Sequence, residues 1–243
     1  MPKARFGEIY KDLKDLIEAG EYPEGALLPS ENDLATQYDC SRNTVRRALA
    51  RLAADGYVQS QQGKGVRSIY APADMTTCVA GTIESFQERA ERSHRDTRSE
   101  VLLFEDIVAD DDLASETGFP HGISLIHIIR VRCFDDEPLI VDHNWFRRDV
   151  MPLLTPQIAT GSIYDYLEND LGLVIATSKR VITVELADDI DRQCLDLGDY
   201  NSVAVVTSQV FSSDGVQFEY TRSRHQPDVF RFQDVATRSR LML

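Results

Sequence analysis

Residues 41–67 read SRNTVRRALARLAADGYVQSQQGKGVR, and the fold of the N-terminal part is decided by this stretch. It combines a helix with a basic outer face, a short strand, a Gly-Lys-Gly tip and a second strand. Its six basic residues and one acidic residue give a net charge of +5, although the whole chain carries −14. Because duplex phosphates attract a local cationic ridge and an acidic remainder limits indiscriminate binding, the stretch predicts a DNA-binding surface.

The helix in this stretch has clear ends and two clear faces. Ser41 is a good N-cap, and Gly56 stands where a glycine commonly stops a helix. Apolar residues recur at helical spacing and predict a buried stripe of Val45, Ala48, Leu49 and Leu52. The outward side chains, which we predict to contact DNA, are Arg42, Asn43, Thr44, Arg46 and Arg47. For this segment alone, a surface helix with solvated arginines is the alternative interpretation.

The residues upstream complete a DNA-binding fold. Ser30 is a second N-cap with Asp33 in the capping-box position, and a tight turn separates this short helix from the basic one. An earlier amphipathic helix places Ile9, Leu13, Leu16 and Ile17 on one face. The glycine-rich tip at 62–65 can approach a backbone closely because it lacks bulky side chains. Residues 1–70 are therefore predicted to form a winged helix-turn-helix domain.

The same residues resemble a known family, the GntR-type bacterial transcription regulators. The resemblance is carried by the motifs LPSE at 28–31, SRNTVR at 41–46, DGY at 55–57 and QGKG at 62–65. It implies that Arg42, Thr44 and Arg46 contact bases and phosphates in the major groove. It also implies that Gln62, Gly63 and Lys64 reach the adjacent minor groove.

Length and composition set limits on the rest of the chain. With 243 residues there is room for about two domains, and no apolar run of 18 or more residues predicts a membrane span. The N-terminus lacks the apolar segment of a secretory signal. Four cysteines and five histidines are scattered without metal-ligand spacing. We therefore expect reduced thiols, no metal, no cofactor and a cytoplasmic, nucleoid-associated location.

Charge divides the chain into two unlike parts. Residues 1–71 hold 10 basic and 10 acidic side chains, so the remaining 172 residues carry the whole charge of −14. An acidic part of this kind will not lie on DNA, and it needs another role. A proline-containing stretch without periodicity at 71–78 is predicted to be a linker, followed by an effector-binding domain at 79–243.

The C-terminal part is predicted to be α+β. Two strand pairs, at 124–134 with 138–146 and at 203–211 with 216–222, indicate hairpins. A further strand is predicted at 181–186, and helices are predicted at 84–93, 163–171 and 188–197. Because no alternating βαβ series occurs, we expect an antiparallel sheet with flanking helices.

Two arginines in the first of these hairpins suggest an anion site. Arg130 and Arg132 are two residues apart in a strand, so both side chains leave the same face. We expect them to repel each other unless an anion lies between them, and a phosphate bound through planar forks fits this need. Asp142, in the next strand, could orient a guanidinium or bind a sugar hydroxyl. A surface Arg–Asp cluster of little energetic value is the alternative.

The C-terminal part also resembles the effector domain of the HutC branch of the GntR family. The residues that carry the resemblance are TIESF at 82–86, Arg130 and Arg132, EPL at 137–139, GSIY at 161–164 and the segment 219–232. The resemblance implies a chorismate-lyase-like (UTRA) fold. The closing segment is similar to the trehalose operon repressors of Gram-positive bacteria, which implies trehalose 6-phosphate as the effector. The implied phosphate site is Ser85, Arg130 and Arg132, and the implied sugar site is Asp142, Tyr164, Glu219 and His225. The predicted effector-binding set also includes Phe86, Ser162 and Lys179.

Several interpretations stay open at this stage. The chain could sense another effector, such as an amino-sugar phosphate or another small metabolite. It could be an enzyme of the chorismate-lyase fold, with Asp142 and Glu219 as an acid/base pair, or an architectural DNA protein. Ser162 could simply cap a helix, His225 could be a loop residue without a ligand role, and Trp145 with Phe146 could be core. The favoured hypothesis is a homodimeric repressor on a pseudo-palindromic operator.

Overall fold

The computed structural model of the chain describes residues 2–61, 63–71, 77–79, 82–93 and 95–234. The chain forms two compact units. The first contains the three N-terminal helices and a hairpin, and the second contains Thr82–Arg231. Of the predicted linker at 71–78, only residues 71, 77 and 78 are described, so its central part lies outside the described residues.

The first unit is the predicted winged helix-turn-helix. Its elements are α1 (Pro2–Glu18), α2 (Glu31–Gln37), α3 (Arg42–Ala54), β1 (Val58–Gln61) and β2 (Gly65–Ser68), with the two strands antiparallel. The predicted apolar stripe of α3 is buried and packs against the apolar faces of the other two helices. Leu16, expected in the core, is only half-buried, whereas Ile9, Leu13 and Ile17 are fully covered.

Local hydrogen bonds explain where these helices begin. The Ser30 hydroxyl accepts from the Asp33 amide and the Asp33 carboxylate accepts from the Ser30 amide, so the predicted capping box is confirmed. Ser41 caps α3 by accepting from the Thr44 amide at 3.2 Å. These caps satisfy amides that lack an intrahelical partner, and the cap at Ser41 marks the end of the turn between α2 and α3.

The remainder of the described chain is α+β, as predicted. Its strands are β3 (Thr77–Val79), β4 (Thr97–Val108), β5 (Ser124–Phe134), β6 (Glu137–Arg147), β7 (Ile175–Leu186), β8 (Ser202–Ser212), β9 (Gln217–His225) and β10 (Arg231–Gln233). Its helices are α4 (Phe86–Ser93), α5 (Asp111–Thr117), α6 (Pro156–Ala159), α7 (Ile163–Asp165) with a π-helical turn at Tyr166–Asp170, and α8 (Asp189–Cys194). One antiparallel sheet has the order β4-β5-β6-β9-β8-β7, and β3 with β10 forms a separate two-stranded sheet.

Both faces of the six-stranded sheet are covered near its centre. One face carries Ile126, Ile128 and Phe146 and packs against α6, α7 and the π-helical turn. This side also bears Arg130 and Asp142, and we call it the cluster face. The opposite face packs Val141 and Val205, among others, against the end of α8. Trp145 and Phe146 are buried, as expected for core aromatics.

Some predicted boundaries were wrong. The predicted helix at 163–171 is a short α-helix followed by the π-helical turn, and the predicted helix at 188–197 is a six-residue helix capped by Asp188. Strand β7 begins at Ile175 rather than at 181. Strand β4 was not predicted, because its apolar and charged residues do not alternate regularly and its register shifts between Val101 and Leu103.

Candidate functional site

The predicted DNA-contacting face of α3 is open to solvent. Arg42, Asn43, Arg46 and Arg47 are exposed. Thr44 is half-buried, and its hydroxyl lies 2.8 Å from that of Ser41, so it takes part in the helix start. Among its first six residues, α3 therefore exposes three guanidinium groups and one side-chain amide. These groups can donate hydrogen bonds to phosphates and base edges.

Glu31 at the start of α2 engages two of these arginines. Its Oε2 accepts from Nη2 of Arg46 at 2.9 Å, and its Oε1 accepts from Nε at 3.3 Å. Arg42 Nη2 lies 3.6 Å from the same carboxylate. The hydrogen bond from Arg46 is the main reason why the pKa of Glu31 is lowered. Surface pairs of this kind contribute at most about 1 kcal/mol, so a phosphate can replace the carboxylate.

The wing has the backbone that its glycines predict. Gly63 has φ +75° and Gly65 has φ +97°, both in the left-handed region that side chains disfavour. Between them Lys64 is exposed at the tip. Gln62, which was predicted to contact DNA together with them, lies outside the described residues.

Arg47 of α3 contacts α1, because its guanidinium lies 4.9 Å from the centre of the Phe6 ring.

The second candidate site is a cluster of buried polar side chains on β5, β6 and β9. Arg132 is 7% exposed, and its Nε donates to Asp142 Oδ2 at 2.9 Å. Its Nη1 donates to the Ser99 hydroxyl at 2.7 Å, and the Ser223 hydroxyl donates to the other oxygen of Asp142 at 2.6 Å. Burial opposes ionisation of Asp142, but Arg132, Arg130 and the Ser223 hydroxyl outweigh it and lower its pKa to about 2.

Arg130 is held by a different set of acceptors. Its Nε and Nη2 both donate to Asn144 Oδ1, at 3.2 and 2.8 Å, and its Nη1 donates to the Ala159 carbonyl at 3.3 Å. Burial, and secondly Arg132, lower the pKa of Arg130 to about 9. The expectation that only an external anion relieves the repulsion between the two arginines was wrong. Asp142 lies directly opposite Arg130 in the register and pairs with Arg132, so the protein supplies its own counter-charge.

Glu219 forms the other end of the cluster. It is 4% exposed and accepts from the Tyr164 hydroxyl at 2.8 Å and from the Thr221 hydroxyl at 2.5 Å. Burial raises the pKa of Glu219, and burial with the nearby Glu219 charge raises that of Tyr164. Because Glu219 loses its proton less readily, the negative charge of Asp142 faces the positive charges of two guanidinium groups. The net charge of the site is therefore more positive than it would be with a fully ionised Glu219.

His225 ends β9 beside Asp142 and is 2% exposed. Its Nδ1 is buried and has no hydrogen-bond partner among the described residues. Burial lowers its pKa to about 3, so the ring is neutral at physiological pH. Its ring centre lies 4.9 Å from that of Phe230. A buried polar atom without a partner is costly, and it marks a place where a ligand or a water can bind.

Helix α4 begins beside the Arg132 guanidinium. The Ser85 hydroxyl accepts from the Glu88 amide at 3.1 Å, and the Glu88 carboxylate accepts from the Ser85 amide at 2.7 Å. The Arg132 guanidinium lies 5.1 Å from the centre of the Phe86 ring. Of the predicted effector residues, the structure thus brings together Ser85, Phe86, Arg130, Arg132, Asp142, Tyr164, Glu219 and His225.

Lys179 lies apart from this cluster. It pairs with Gln209 in the register, on the face opposite Asp142, and its ammonium lies 5.0 Å from the centre of the Phe211 ring. Its neighbour Arg180 is the basic residue of β7 whose charge acts on Tyr164. Lys179 and Arg180 lie on opposite faces of the sheet because adjacent side chains of a strand alternate between its two faces. Ser162 caps α7 by accepting from the Asp165 amide at 3.1 Å and so helps to place Tyr164.

Sequence reasoning missed four polar members of the cluster. Asn144 links three strands, because it accepts from Arg130 and donates to the Thr221 hydroxyl at 2.7 Å. Thr221, Ser223 and Ser99 complete the hydrogen bonds described above. Strand alternation could have identified three of them. Asn144 is two residues from Asp142, and Thr221 and Ser223 lie at every second position between Glu219 and His225, so all three share the face of those residues.

The described residues contain no group of three or more metal-binding side chains close enough to hold an ion. Within the same residues, no helix is long and apolar enough to cross a membrane. Cys40, Cys133 and Cys194 are free thiols.

Comparison with known proteins assigns both parts of the chain. Residues 6–67 match the family of bacterial regulatory proteins, gntR family, and residues 92–231 match the UTRA domain. The chain is 37% identical over 236 residues to the HTH-type transcriptional regulator TreR of Bacillus subtilis (strain 168), covering 97% of this chain and 98% of that protein.

One solved structure agrees with this assignment, and a second shares the fold. The structure of the B. subtilis trehalose repressor (TreR) effector binding domain is 36% identical, with a TM-score of 0.53, and covers 59% of this chain and 99% of that one. The possible transcriptional regulator YydK from B. subtilis subsp. subtilis str. 168 shares the fold, with a TM-score of 0.79 at 18% identity over 96% of this chain and 99% of that one. Because TreR and the matched gntR family are transcription regulators, the enzyme hypothesis is set aside. The chain belongs to the GntR family of transcription regulators, in the HutC-type group that carries a UTRA domain.

Proposed function

We propose that this regulator is a transcriptional repressor that leaves its operator when it binds trehalose 6-phosphate. The observation that carries the proposal is the buried polar cluster on β5, β6 and β9, in a chain that also has a DNA-binding unit. Buried polar side chains are costly unless they form hydrogen bonds or bind a ligand, and this cluster includes an imidazole nitrogen of His225 that has no hydrogen-bond partner among the described residues. The likeness to TreR favours a trehalose derivative over other sugars.

The phosphate end of the proposed site is Arg132 with the start of α4. No hydrogen bond joins Nη2 of Arg132 to another described residue, so a donor remains for a phosphate oxygen. All three nitrogens of Arg130 already donate within the protein. Arg130 therefore supports the phosphate mainly through its charge, and Ser85 adds a hydroxyl at the positive end of a helix.

The sugar end of the proposed site is lined by groups that exchange hydrogen bonds with hydroxyls. Asp142 and Glu219 accept, Tyr164 can donate or accept, and the Nδ1 atom of His225 gains a partner. A sugar that replaces internal contacts of the cluster must return an equal number of hydrogen bonds, which makes the site selective for hydroxyl positions.

In the proposed repressor, two copies of the chain bind two half-sites in the cytoplasm. Each copy contributes a reading domain at 1–70, a linker at 71–78 and an effector domain at 79–243. A ligand can shift this system only if it binds the DNA-competent and DNA-incompetent states with different affinity. A change from nearly full occupancy to nearly full release requires a difference of about 5.5 kcal/mol.

Calorimetry with trehalose and trehalose 6-phosphate tests the effector. We expect much tighter binding of the phosphorylated sugar to the parent protein. Arg132→Lys keeps a positive charge beside Asp142 but removes the planar fork, and it should weaken trehalose 6-phosphate binding by about 1.5–3 kcal/mol. Arg132→Ala is a poorer choice, because Asp142 would stay buried after losing its partner.

Arg98→Lys is the matched control, since Arg98 is an exposed arginine on the neighbouring strand β4. It should bind the sugar phosphate like the parent. Equal affinity of the parent for the two sugars would contradict the proposed phosphate site. Tighter binding of an amino-sugar phosphate, titrated in the same series, would replace trehalose 6-phosphate as the effector.

A further inference from the structure

Strand β7 brings one more basic residue to the cluster face. Arg180 lies opposite Ser208 of β8, and Ser208 lies opposite Thr221 of β9, whose hydroxyl donates to Glu219. Because paired residues of neighbouring strands point to the same face, the Arg180 side chain leaves the sheet beside the sugar end of the proposed effector site. Burial is the main cause that raises the pKa of Tyr164, and the positive charge of Arg180 opposes this rise, so the guanidinium acts at that hydroxyl.

The Arg180 guanidinium also holds the main chain at a place far away in the sequence. Its Nη2 donates to the carbonyl of Thr82 at 2.6 Å, across 98 positions. Thr82 begins the continuous part of the second unit, and Ser85 follows three residues later, immediately before α4. A hydrogen bond from a charged donor is stronger than one between neutral groups. One side chain therefore joins the sugar end of the effector site to the segment by which the chain enters this unit.

The segment 82–85 is short, and both of its ends are engaged. Thr82 is bonded to Arg180, and Ser85 exchanges two hydrogen bonds with the first turn of α4. Three residues span at most about 10–11 Å when fully extended, so a displacement at one end of the segment is passed on to the other. A phosphate that binds at Ser85 therefore acts on the Thr82 carbonyl. A sugar bound at the other end of the site acts on the guanidinium that holds this carbonyl.

We propose that Arg180 is a positioning residue that passes effector occupancy to the segment 82–85 through its bond to the Thr82 carbonyl. The inference rests on the proposed function, since it concerns how the same effector site controls operator binding. A ligand changes operator affinity only if it binds the DNA-competent and DNA-incompetent states differently. The bond to Thr82 supplies such a difference when one state keeps it and the other breaks it. Arg180 thus contributes to the coupling between effector and operator more than to affinity for the sugar phosphate.

The coupling factor of the full chain tests this role, and it is the ratio of operator affinities measured without and with saturating trehalose 6-phosphate. Arg180→Met keeps the length of the side chain but removes every donor. We expect its coupling factor to be at least about tenfold smaller than that of the parent. Calorimetry without DNA should give an effector affinity close to the parent's. Arg180→Lys retains a charged donor and should recover part of the coupling, because a single nitrogen makes the bond to Thr82.

Lys179→Met is the matched control, because Lys179 is the adjacent basic residue of β7 and lies on the opposite face of the sheet. It should keep the coupling factor of the parent. Three results would overturn the inference: coupling in Arg180→Met equal to the parent's, an equal loss of coupling in Lys179→Met, or a loss of effector affinity in Arg180→Met at unchanged coupling.

Amide hydrogen exchange separates this inference from the proposed effector. Without DNA or sugar, Arg180→Met should speed exchange at residues 83–86, because the segment loses the bond at Thr82, whereas Lys179→Met should not. A parent protein that does not bind trehalose 6-phosphate would contradict the proposed function, and the exchange comparison would still decide whether Arg180 holds this segment. Unchanged exchange in Arg180→Met would rule out the inference whatever the effector is.

Discussion

At the scale of single residues, two carboxylates form ion pairs with the arginines that are predicted to bind phosphate. Glu31 holds Arg46 and Arg42 on the predicted DNA-binding side of the first unit, and Asp142 holds Arg132 in the second. Glu31 occupies a position where a DNA phosphate is proposed to bind, whereas the effector phosphate is proposed to use the remaining donor of Arg132 while Asp142 stays in place. The exposed pair costs little to break, whereas the buried pair must be replaced by other hydrogen bonds.

Glu31→Gln should increase affinity for DNA of any sequence. The change removes a negative charge beside Arg42 and Arg46, so both guanidinium groups become available to phosphates without competition. We expect an increase of up to about tenfold, since the lost pair is an exposed one. Filter binding to operator and to unrelated duplex measures it. Glu8→Gln, an exposed acid on α1, is the control, and an equal increase there would assign the effect to net charge alone.

Arg46→Ala should weaken operator binding. Losing a guanidinium that reads a base or phosphate costs about 1–3 kcal/mol. Arg51→Ala is the matched control, because Arg51 lies on the same helix but bonds Asp55 at 2.8 Å near its C-terminal end. Fluorescence anisotropy with labelled operator compares the two variants. If Arg46→Ala binds like the parent, α3 does not read the operator through this residue.

At the scale of elements, β6 connects the functional cluster to both of its neighbours. Asp142 reaches Arg132 on β5 and Ser223 on β9, and Asn144 does the same with Arg130 and Thr221. On the opposite face, Arg224 of β9 fastens α8 through Asp191, with bonds of 2.8 to 3.1 Å to its carboxylate. The sheet is therefore held by polar bonds on both faces around an apolar core.

The stability of the sheet should fall at acid pH because of Asp142. Its pKa in the fold is about 2, lowered from an ordinary value of 3.8, so the carboxylate stabilises the fold above about pH 4. This contribution is lost as the pH falls from about 4 to 2, and it amounts to roughly 2 kcal/mol. Urea unfolding at a series of pH values measures the loss.

A substitution at Asp142 shows whether this carboxylate causes the loss of stability at acid pH. Asp142→Asn should be less stable at neutral pH, and its free energy of unfolding should change less between pH 4 and 2 than that of the parent. Asp214→Asn, in an exposed turn, should keep the parent slope. Parallel curves for the parent and Asp142→Asn would show that Asp142 is not ionised against Arg132 in the folded protein.

At the scale of the whole molecule, the DNA-binding end is neutral and the remainder is strongly acidic. The basic ridge is thus the part of the surface that phosphates attract, and the acidic remainder keeps the rest of the chain away from DNA. A repressor made of two such chains would contact DNA only at two separated places.

Operator binding should depend on the helical phase between the two half-sites. Inserting 5 base pairs, about half a turn, turns one half-site to the other side of the duplex and should reduce affinity at least tenfold, whereas 10 base pairs should restore part of it. Gel shifts with the three operators measure this. Operators with one half-site deleted serve as the control, and equal affinity across the series would contradict binding by a two-fold dimer.

Much of the fold follows from the sequence because its determinants are local. Three kinds of feature depend on residues only a few positions apart: the caps at Ser30 and Ser41, the glycines of the wing and the strand pairs of the two hairpins. They can therefore be predicted from the sequence. Residue types at motif positions also predicted most of the cluster, including Arg132, Asp142 and Glu219. Their binding roles stay predictions.

Only the tertiary structure decided which partners these residues have. Asn144 and Thr221 are bonded although 77 positions separate them, and Glu31 meets Arg46 across a turn. Such contacts depend on strand register and helix packing, which burial of the whole core fixes and which no local pattern encodes. That is why Arg180, and not Lys179, lies on the cluster face, and why Arg132 of the apparently repelling arginine pair proves to be paired with Asp142 of the same chain.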